Sequence, residues 1–374
     1  MKKKIIALLL SVTTLAGLVL TGCSSSSNDE TQEEISPISV DGIEKPKSDG
    51  KQVTLNLLNW ADYMEENVIE DFEKEYPNIK VYYETMTSNE EMLVKLESTN
   101  SEYDLCFPSD YTISKLIKKD LLLEIDDSKL PHIVNIDDRF LNLEFDPDNK
   151  YSVPYFWGTV GVLYNKNDLD GEVPDSWNYL WDQKYAKKIF MYDSVRDSMA
   201  VALARKGHSI NTTNEAELAE AEADLIEQKK IVLAYQTDEL RDRMIGEGGT
   251  FAVMYSGDAF YSIGENNDLD YFVPKEGSNI WFDNIVLLKS SKNPDAAHLF
   301  IDFLLRSDIA VRNTEYIGYS TPNKTALEKL PAELRENEVY NPPQDVIDRC
   351  DAFVDLGDFM KNYNDAWLRI KAAK

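Results

Sequence analysis

From Val53 onward, apolar residues alternate between short extended runs and amphipathic stretches, and this alternation limits the folds open to the chain more than any other feature. Val53-Thr-Leu-Asn-Leu-Leu-Asn-Trp60 reads as a strand. The next stretch places Val68, Ile69, Phe72 and Tyr76 on one helical face and is stopped by Pro77. Lys80 to Glu84 is a second strand, Asn89 begins a helix that turns Met92, Leu93 and Leu96 inward, and Tyr103 to Phe107 is a third strand broken by Pro108. Strand–helix alternation at this spacing specifies a parallel, doubly wound α/β sheet.

The second half repeats this style. Tyr164 to Trp181 is turn-rich, Ile189 to Tyr192 is a strand, and Ser198 to Arg205 begins a helix. Asn214, with Glu217 three residues on, has the pattern of a capping box, and the helix it opens carries Leu218, Ala221 and Leu225 on one stripe. Phe251 to Tyr255 and Ile285 to Lys289 are further strands, and Pro294 precedes a helix with Ala297, Phe300, Ile301 and Leu304 facing in. The 374 residues exceed what one core usually holds, so two α/β domains are expected. Open α/β sheets take ligands at the carboxyl ends of their strands.

The N-terminus is of another kind. Lys2, Lys3 and Lys4 precede an apolar run, Ile5 to Leu20, that ends in Leu20-Thr-Gly-Cys23, a pattern similar to a lipoprotein signal peptidase box. Residues 1–22 are therefore expected to be a lipoprotein signal peptide and Cys23 the lipidated residue, placing the protein outside the cytoplasm on the cell membrane, or in the periplasm of a diderm. Residues 23–50 hold a serine run, seven acids and two lysines with almost no apolar period, and are expected to form a flexible tether. Of the two remaining cysteines, Cys106 falls in an apolar strand and Cys350 is expected to open the last helical stretch; both read as inert thiols.

With 67 acids against 39 bases the net charge is −28, which excludes nucleic acid as a partner. Gly246-Glu-Gly248-Gly249 lacks the context of a phosphate loop, no G-x-S-x-G or H-E-x-x-H occurs, and His132, His208 and His298 lie far apart. Asp146-Pro-Asp148-Asn149 and Asn167-Asp168-Leu-Asp170-Gly171 read as Asx-type turns and not calcium loops. No catalytic residue, cofactor or metal site is expected.

What remains is aromatic residues near carboxylates. Trp60 and Asp62 are two apart, as are Trp281 and Asp283, a spacing that puts both side chains on one face of extended backbone, and Tyr255-Ser-Gly-Asp258 adds a third cluster. A ligand carrying an ammonium group uses this chemistry: a ring face for cation–π attraction and a carboxylate for charge-assisted hydrogen bonds. A glycosidase with two carboxylates is the rival from another class. A binding protein for a sugar, a thiamine-like cation or a metal complex, and a purely structural surface lipoprotein, are the others.

Asn59-Trp60-Ala-Asp62-Tyr63, Pro108-Ser109-Asp-Tyr111, Tyr155-Phe-Trp157-Gly158-Thr159, Pro274-Lys-Glu-Gly277 with Trp281-Phe-Asp283, and Ile317-Gly-Tyr319-Ser-Thr-Pro322-Asn323 together resemble the spermidine/putrescine-binding proteins of polyamine ABC transporters. The resemblance is collinear from Val53 to Trp367. It implies a two-lobed type II periplasmic-binding-protein fold with a ligand cleft between lobes, lobe one being residues 51–158 and 280–328 and lobe two 159–279 and 329–374. It further implies a monomer that is not an enzyme, binds a polyamine and delivers it to ABC permease subunits. Trp60, Tyr63, Tyr111, Tyr255, Trp281 and Tyr319 would form an aromatic box, Ser109 a polar contact, and Asp62, Asp197, Asp258 and Asp283 would hold the amines. Asp197 stands where Glu is more usual, Ser194 where some spermidine-preferring members are acidic, and Phe353 where some carry Gln, while Asp258 resembles the putrescine-binding branch. The choice between spermidine and putrescine stays open.

Overall fold

The computed structural model describes residues 36–98, 102–237, 239–246 and 248–373. The expected signal peptide and Cys23 lie outside the described residues. Leu55, Leu57 and Leu58 are fully buried on successive faces, as a strand with helices over both sides of its sheet requires. Their strand, β1 (Val53–Trp60), lies between β2 (Ile79–Met86) and β3 (Leu105–Cys106), parallel to both. The connecting helix α1 (Val68–Glu75) buries Val68 and Phe72, and α2 (Asn89–Glu97) buries Met92 and Leu96. After β3, α3 (Asp110–Lys118) buries Ile113 and Leu116. Each such side chain contributes about 1.5–3 kcal/mol on burial, so tertiary packing and not helix propensity holds these short helices.

β4 (Ser152–Asn165) is 14 residues long and buried throughout. Its first part pairs antiparallel with β9 (Ile280–Leu287), and its second part pairs antiparallel with β7 (Phe251–Tyr255) and β8 (Leu269–Phe272). β5 (Ile189–Tyr192) lies parallel between β7 and β6 (Val232–Gln236). The sheet order is β2-β1-β3-β9-β4-β7-β5-β6, with β8 beside β4. The expectation of a parallel sheet is thus corrected: parallel pairing is confined to two outer groups, β2-β1-β3 and β7-β5-β6. β4 carries the chain from the first group to the second and β9 brings it back, so the two run in opposite directions.

The second half is covered by α4 (Val195–Arg205), α5 (Glu215–Lys229), α6 (Glu239–Ile245) and α7 (Ser256–Glu265). After β9 come α8 (Pro294–Leu305), α9 (Ser307–Ile317), α10 (Lys324–Lys329) and the short α11 (Ala332–Arg335) and α12 (Gln344–Ile347). The last helix, α13 (Met360–Ala372), packs on α4 and α5, where Lys229 Nζ donates to the carbonyls of Ile370 and Ala373 at 2.9 and 2.7 Å. Two local expectations change. Asn214 caps α5 through Ala216 N–H at 2.9 Å, but the Glu217 carboxylate takes the Asn214 side-chain amide at 3.3 Å in place of its backbone N–H. Cys350 follows α12 and does not open α13; like the buried Cys106 it is a free thiol.

The stretch expected as tether is packed from Pro37 on, within the compact unit Pro37–Lys374. Ser39 Oγ lies 2.8 Å from His132 Nε2, and His132 Nδ1 lies 2.7 Å from Asp302 Oδ2. All three residues are buried, and the imidazole, engaged at both ring nitrogens, clasps the segment at Ser39 to α8. Asp41 accepts from Ser307 N–H at 2.9 Å, Asn135 Nδ2 at 3.0 Å and Lys329 Nζ at 2.9 Å. Lys45 and Arg306 share Glu75, at 2.7 and 2.9 Å. Polar composition misled here because these side chains exchange water for matched donors and acceptors instead of burying apolar surface. Asp41→Ala leaves Ser307 N–H and the Asn135 amide short of an acceptor and is expected to cost about 1–3 kcal/mol of unfolding free energy, read by urea denaturation.

Candidate functional site

Side chains converge where β1, β3, β5 and β7 end. Tyr63 follows β1, Ser109 follows β3, Asp197 sits in the first turn of α4 beyond β5, and Tyr255 ends β7. β9 contributes Trp281 and Asp283, and Tyr319 follows α9, whose C-cap is Gly318. Asp283 accepts from Tyr63 OH through Oδ2 and from Ser109 Oγ through Oδ1, both at 2.7 Å. The Tyr63 ring meets Tyr319 edge-on at 6.1 Å, Tyr319 meets Trp281 at 4.9 Å, and Trp281 meets Tyr255 at 6.0 Å. Tyr255 OH donates to Asp197 Oδ2 at 3.2 Å. The result is one chain of contacts: a carboxylate, four aromatic rings, and a second carboxylate.

Both carboxylates are short of partners. Asp283 is 7% exposed and Asp197 4% exposed, and among the described residues neither has a Lys or Arg nitrogen within 4.0 Å. Among the described residues, Asp197 Oδ1 and Trp281 Nε1 have no hydrogen-bond partner. Burial pushes Asp283 up to about 6 against the two hydroxyl donors that lower it. Burial likewise raises Asp197, opposed by Ser194, Tyr255 and the neighbouring Arg196. Beside them Asp110, whose oxygens accept from Tyr111 N–H at 2.6 Å and Phe282 N–H at 3.1 Å, is pushed by burial up to about 8. A site that holds buried acids without a cation favours a ligand that brings one. Among the described residues no group of three or more His, Cys, Asp or Glu is placed to hold a metal ion.

A family model described as bacterial extracellular solute-binding protein matches residues 67–340. The chain belongs to that family. The spermidine/putrescine-binding periplasmic protein of Salmonella typhimurium is 34% identical over 322 residues, covering 86% of this chain and 92% of that protein. The spermidine/putrescine ABC transporter substrate-binding protein PotD of Streptococcus pneumoniae is 37% identical with a TM-score of 0.79, over 86% of this chain and 99% of that one. The Tp0655 lipoprotein of Treponema pallidum is 28% identical with a TM-score of 0.76, over 85% of this chain and 99% of that one. The fold is accordingly the two-lobed fold of periplasmic solute-binding proteins, and the family comprises transporter components and not enzymes. Among the described residues no helix is long and apolar enough to cross a membrane.

In this solute-binding protein the remaining expected site residues stand apart from the contact chain. Asp62 is exposed in a turn with φ of 51°, a conformation that Asp tolerates better than most side chains and that swings Tyr63 inward. Asp258 is half-buried in the first turn of α7, 4.0 Å from Arg241. Trp60 donates its indole N–H to Phe107 O at 2.8 Å, and the Tyr111 ring lies under Lys115 Nζ at 5.1 Å. Sequence reasoning passed over Asn89, which donates to Ser109 Oγ at 3.1 Å and accepts from Ser109 N–H at 3.2 Å, and Tyr192, whose ring meets Tyr255 at 5.0 Å. It also passed over Asp110, although the residue lies inside the Pro108-Ser-Asp-Tyr111 motif.

Two glycines let the rings close up. A Cβ on Gly158 would sit 2.6 Å from Trp281 Cζ2, and one on Gly257 would run into Tyr319 Cδ1. Gly264, on the same helix as Gly257, has open space around it. Gly257→Ala is expected to lose about 1–3 kcal/mol of stability by overpacking, whereas Gly264→Ala stays neutral or gains up to about 1 kcal/mol from helix propensity. Chemical denaturation of both variants measures the contrast.

Proposed function

We propose that the protein is the solute-capturing component of a polyamine ABC importer, binding spermidine or putrescine in the cleft between its lobes and handing it to permease subunits. The observation that carries this reading is the pair of buried carboxylates with no ion pair among the described residues, Asp283 and Asp197, separated by the rings of Tyr63, Tyr319, Trp281 and Tyr255. A polyamine has the matching pattern of ammonium, methylene chain and ammonium. Trp60 and Tyr111 would extend the aromatic surface, Ser109 would position Asp283, and Asp62 and Asp258 would act at the rim. The polyamine-binding names of the relatives point the same way.

Charge-assisted hydrogen bonds of about 1.5–3 kcal/mol each and cation–π contacts of about 0.5–2 kcal/mol, against several kcal/mol of immobilisation, leave roughly 8–10 kcal/mol, or micromolar to sub-micromolar affinity. The lobes would be residues 51–158 with 280–328 and residues 159–279 with 329–374, closing over the solute as a monomer. The lipid on Cys23 would hold the protein at the membrane, in keeping with the signal sequence and with the Treponema relative being a lipoprotein.

Calorimetric titration of the chain from Asp29 onward, which contains the whole compact unit, with spermidine, putrescine, spermine and lysine tests the reading. One polyamine should bind at micromolar affinity or better, and Asp283→Asn should weaken it roughly thirtyfold to a hundredfold. An absence of heat and of thermal stabilisation with all four would discard it. Because the solute favours the ionised form of Asp283, affinity should fall below pH of about 6, approaching tenfold per unit for each proton that must leave. The sign for folding is opposite: a carboxyl raised in the fold favours the unliganded fold at low pH and loses that contribution as pH rises through about 6. Stabilisation by solute is therefore largest at neutral pH, which thermal shifts across pH will read.

A further inference from the structure

α3 carries Tyr111, Lys115 and Lys118 at spacings of four and three, on one helical face. The helix belongs to the first half of the molecule, since Ile113 and Leu116 pack with Leu58, Met86 and Cys106. The segment Phe353–Asp355 belongs to the second half. Phe353 lies under the guanidinium of Arg196 on α4 at 4.2 Å, Val354 N–H donates to Asn211 Oδ1 at 3.0 Å, and Val354 O accepts from Arg196 at 3.1 Å. Nevertheless Lys118 Nζ reaches Asp355 Oδ2 at 2.9 Å and Lys115 Nζ lies 3.9 Å from Oδ1. The Asp355 side chain is only 10% exposed, and these cations with the Gly357 N–H at 3.1 Å hold it in its ionised form.

We infer that Lys115, Lys118 and Asp355 form an ionic latch across the cleft, which closes the halves on each other without touching the solute and so sets the affinity of capture. The latch rests on the reading that the halves part and close around a solute. Observed affinity is the intrinsic affinity scaled by the fraction of unliganded protein in the competent form, so any contact made only on closing raises affinity and slows release. Asp355 has its oxygens engaged by the chain itself, which sets it apart from the acids that await a cation. Lys115 links the latch to the site, because its ammonium also lies over Tyr111. Lys118 is 65% exposed, so the latch is a modest one, worth roughly threefold to tenfold in the closing equilibrium, and salt weakens it.

The test uses the chain from Asp29 onward with Asp355→Asn, which keeps an acceptor for Gly357 N–H but removes the charge, and with the charge exchange Lys118→Asp/Asp355→Lys. Small-angle scattering without solute should show a larger radius of gyration for Asp355→Asn than for the parent at low salt, a difference that high salt erases. Stopped-flow release of spermidine should be roughly threefold to tenfold faster in Asp355→Asn and return toward the parent rate in the charge exchange. Equal radii and equal release rates in parent and Asp355→Asn would overturn the latch, as would a charge exchange that behaves no better than Asp355→Asn. The scattering arm needs no solute, so it reads the latch even if no polyamine binds, while failure of binding in the parent falls on the polyamine reading alone.

Discussion

The site depends on two buried carboxylates that the chain supplies with hydroxyl donors and, among the described residues, with no ion pair. Taking an ionised carboxylate out of water costs several kcal/mol unless it is paired, and hydroxyl donors return only part of that. Asp283, with Tyr63 and Ser109 on its oxygens, is oriented but not neutralised. Asp197 Oδ2 accepts from Tyr255, and among the described residues its Oδ1 has no hydrogen-bond partner. On the polyamine reading, a ligand with positive charge at both ends would relieve this cost at the site. Everything around it serves to hold those groups in place: Asn89 fixes Ser109, Tyr155 OH donates to Tyr63 O at 2.8 Å, and the Ser194 hydroxyl accepts from Asp197 N–H at 3.4 Å.

The same two strands that carry the chain between halves also build the floor of the site. Gly158 on β4 pairs directly with Trp281 on β9, and the missing Cβ at 158 is what lets the indole lie flat against the crossover. Asp283 lies two residues further along β9, so the strand period alone brings ring and carboxylate to one face. Lys118 and Asp355 join the two halves through side chains alone, where a contact made or lost on closing has most leverage on the closing equilibrium.

Periodicity made part of this legible and concealed the rest. β1, β5 and β7 appear at their expected residues because each is a short apolar run bounded by polar or turn residues. β4 did not, because Ser152-Val-Pro-Tyr-Phe-Trp-Gly-Thr-Val-Gly-Val-Leu-Tyr-Asn165 is buried on both faces and shows no alternation, and Pro154, Gly158 and Gly161 mimic turn signals. The i, i+2 rule placed Trp281 and Asp283 together correctly because both lie within β9. It failed for Trp60 and Asp62 because β1 ends at Trp60 and the left-handed turn at Asp62 breaks the period. The strap from Pro37 to Lys47 was hidden for a different reason. Composition separates polar from apolar segments, but it does not separate a polar segment in water from one whose side chains meet buried partners such as His132, Asn135 and Ser307.

Abundance of acid therefore says little about which acid binds a cationic solute; pairing says more. The chain holds 67 Asp and Glu residues. Asp41 is pinned by Ser307, Asn135 and Lys329, Glu75 is shared by Lys45 and Arg306, and Asp355 is held by Lys115 and Lys118. In each case the protein's own base has taken the place that a solute ammonium would occupy. Asp283 and Asp197 are buried too, yet among the described residues no Lys or Arg nitrogen lies within 4.0 Å of either, and burial shifts their carboxyls toward the neutral form. On the polyamine reading, a solute ammonium would complete the ion pairs that these two carboxylates lack, which the paired acids have no need of.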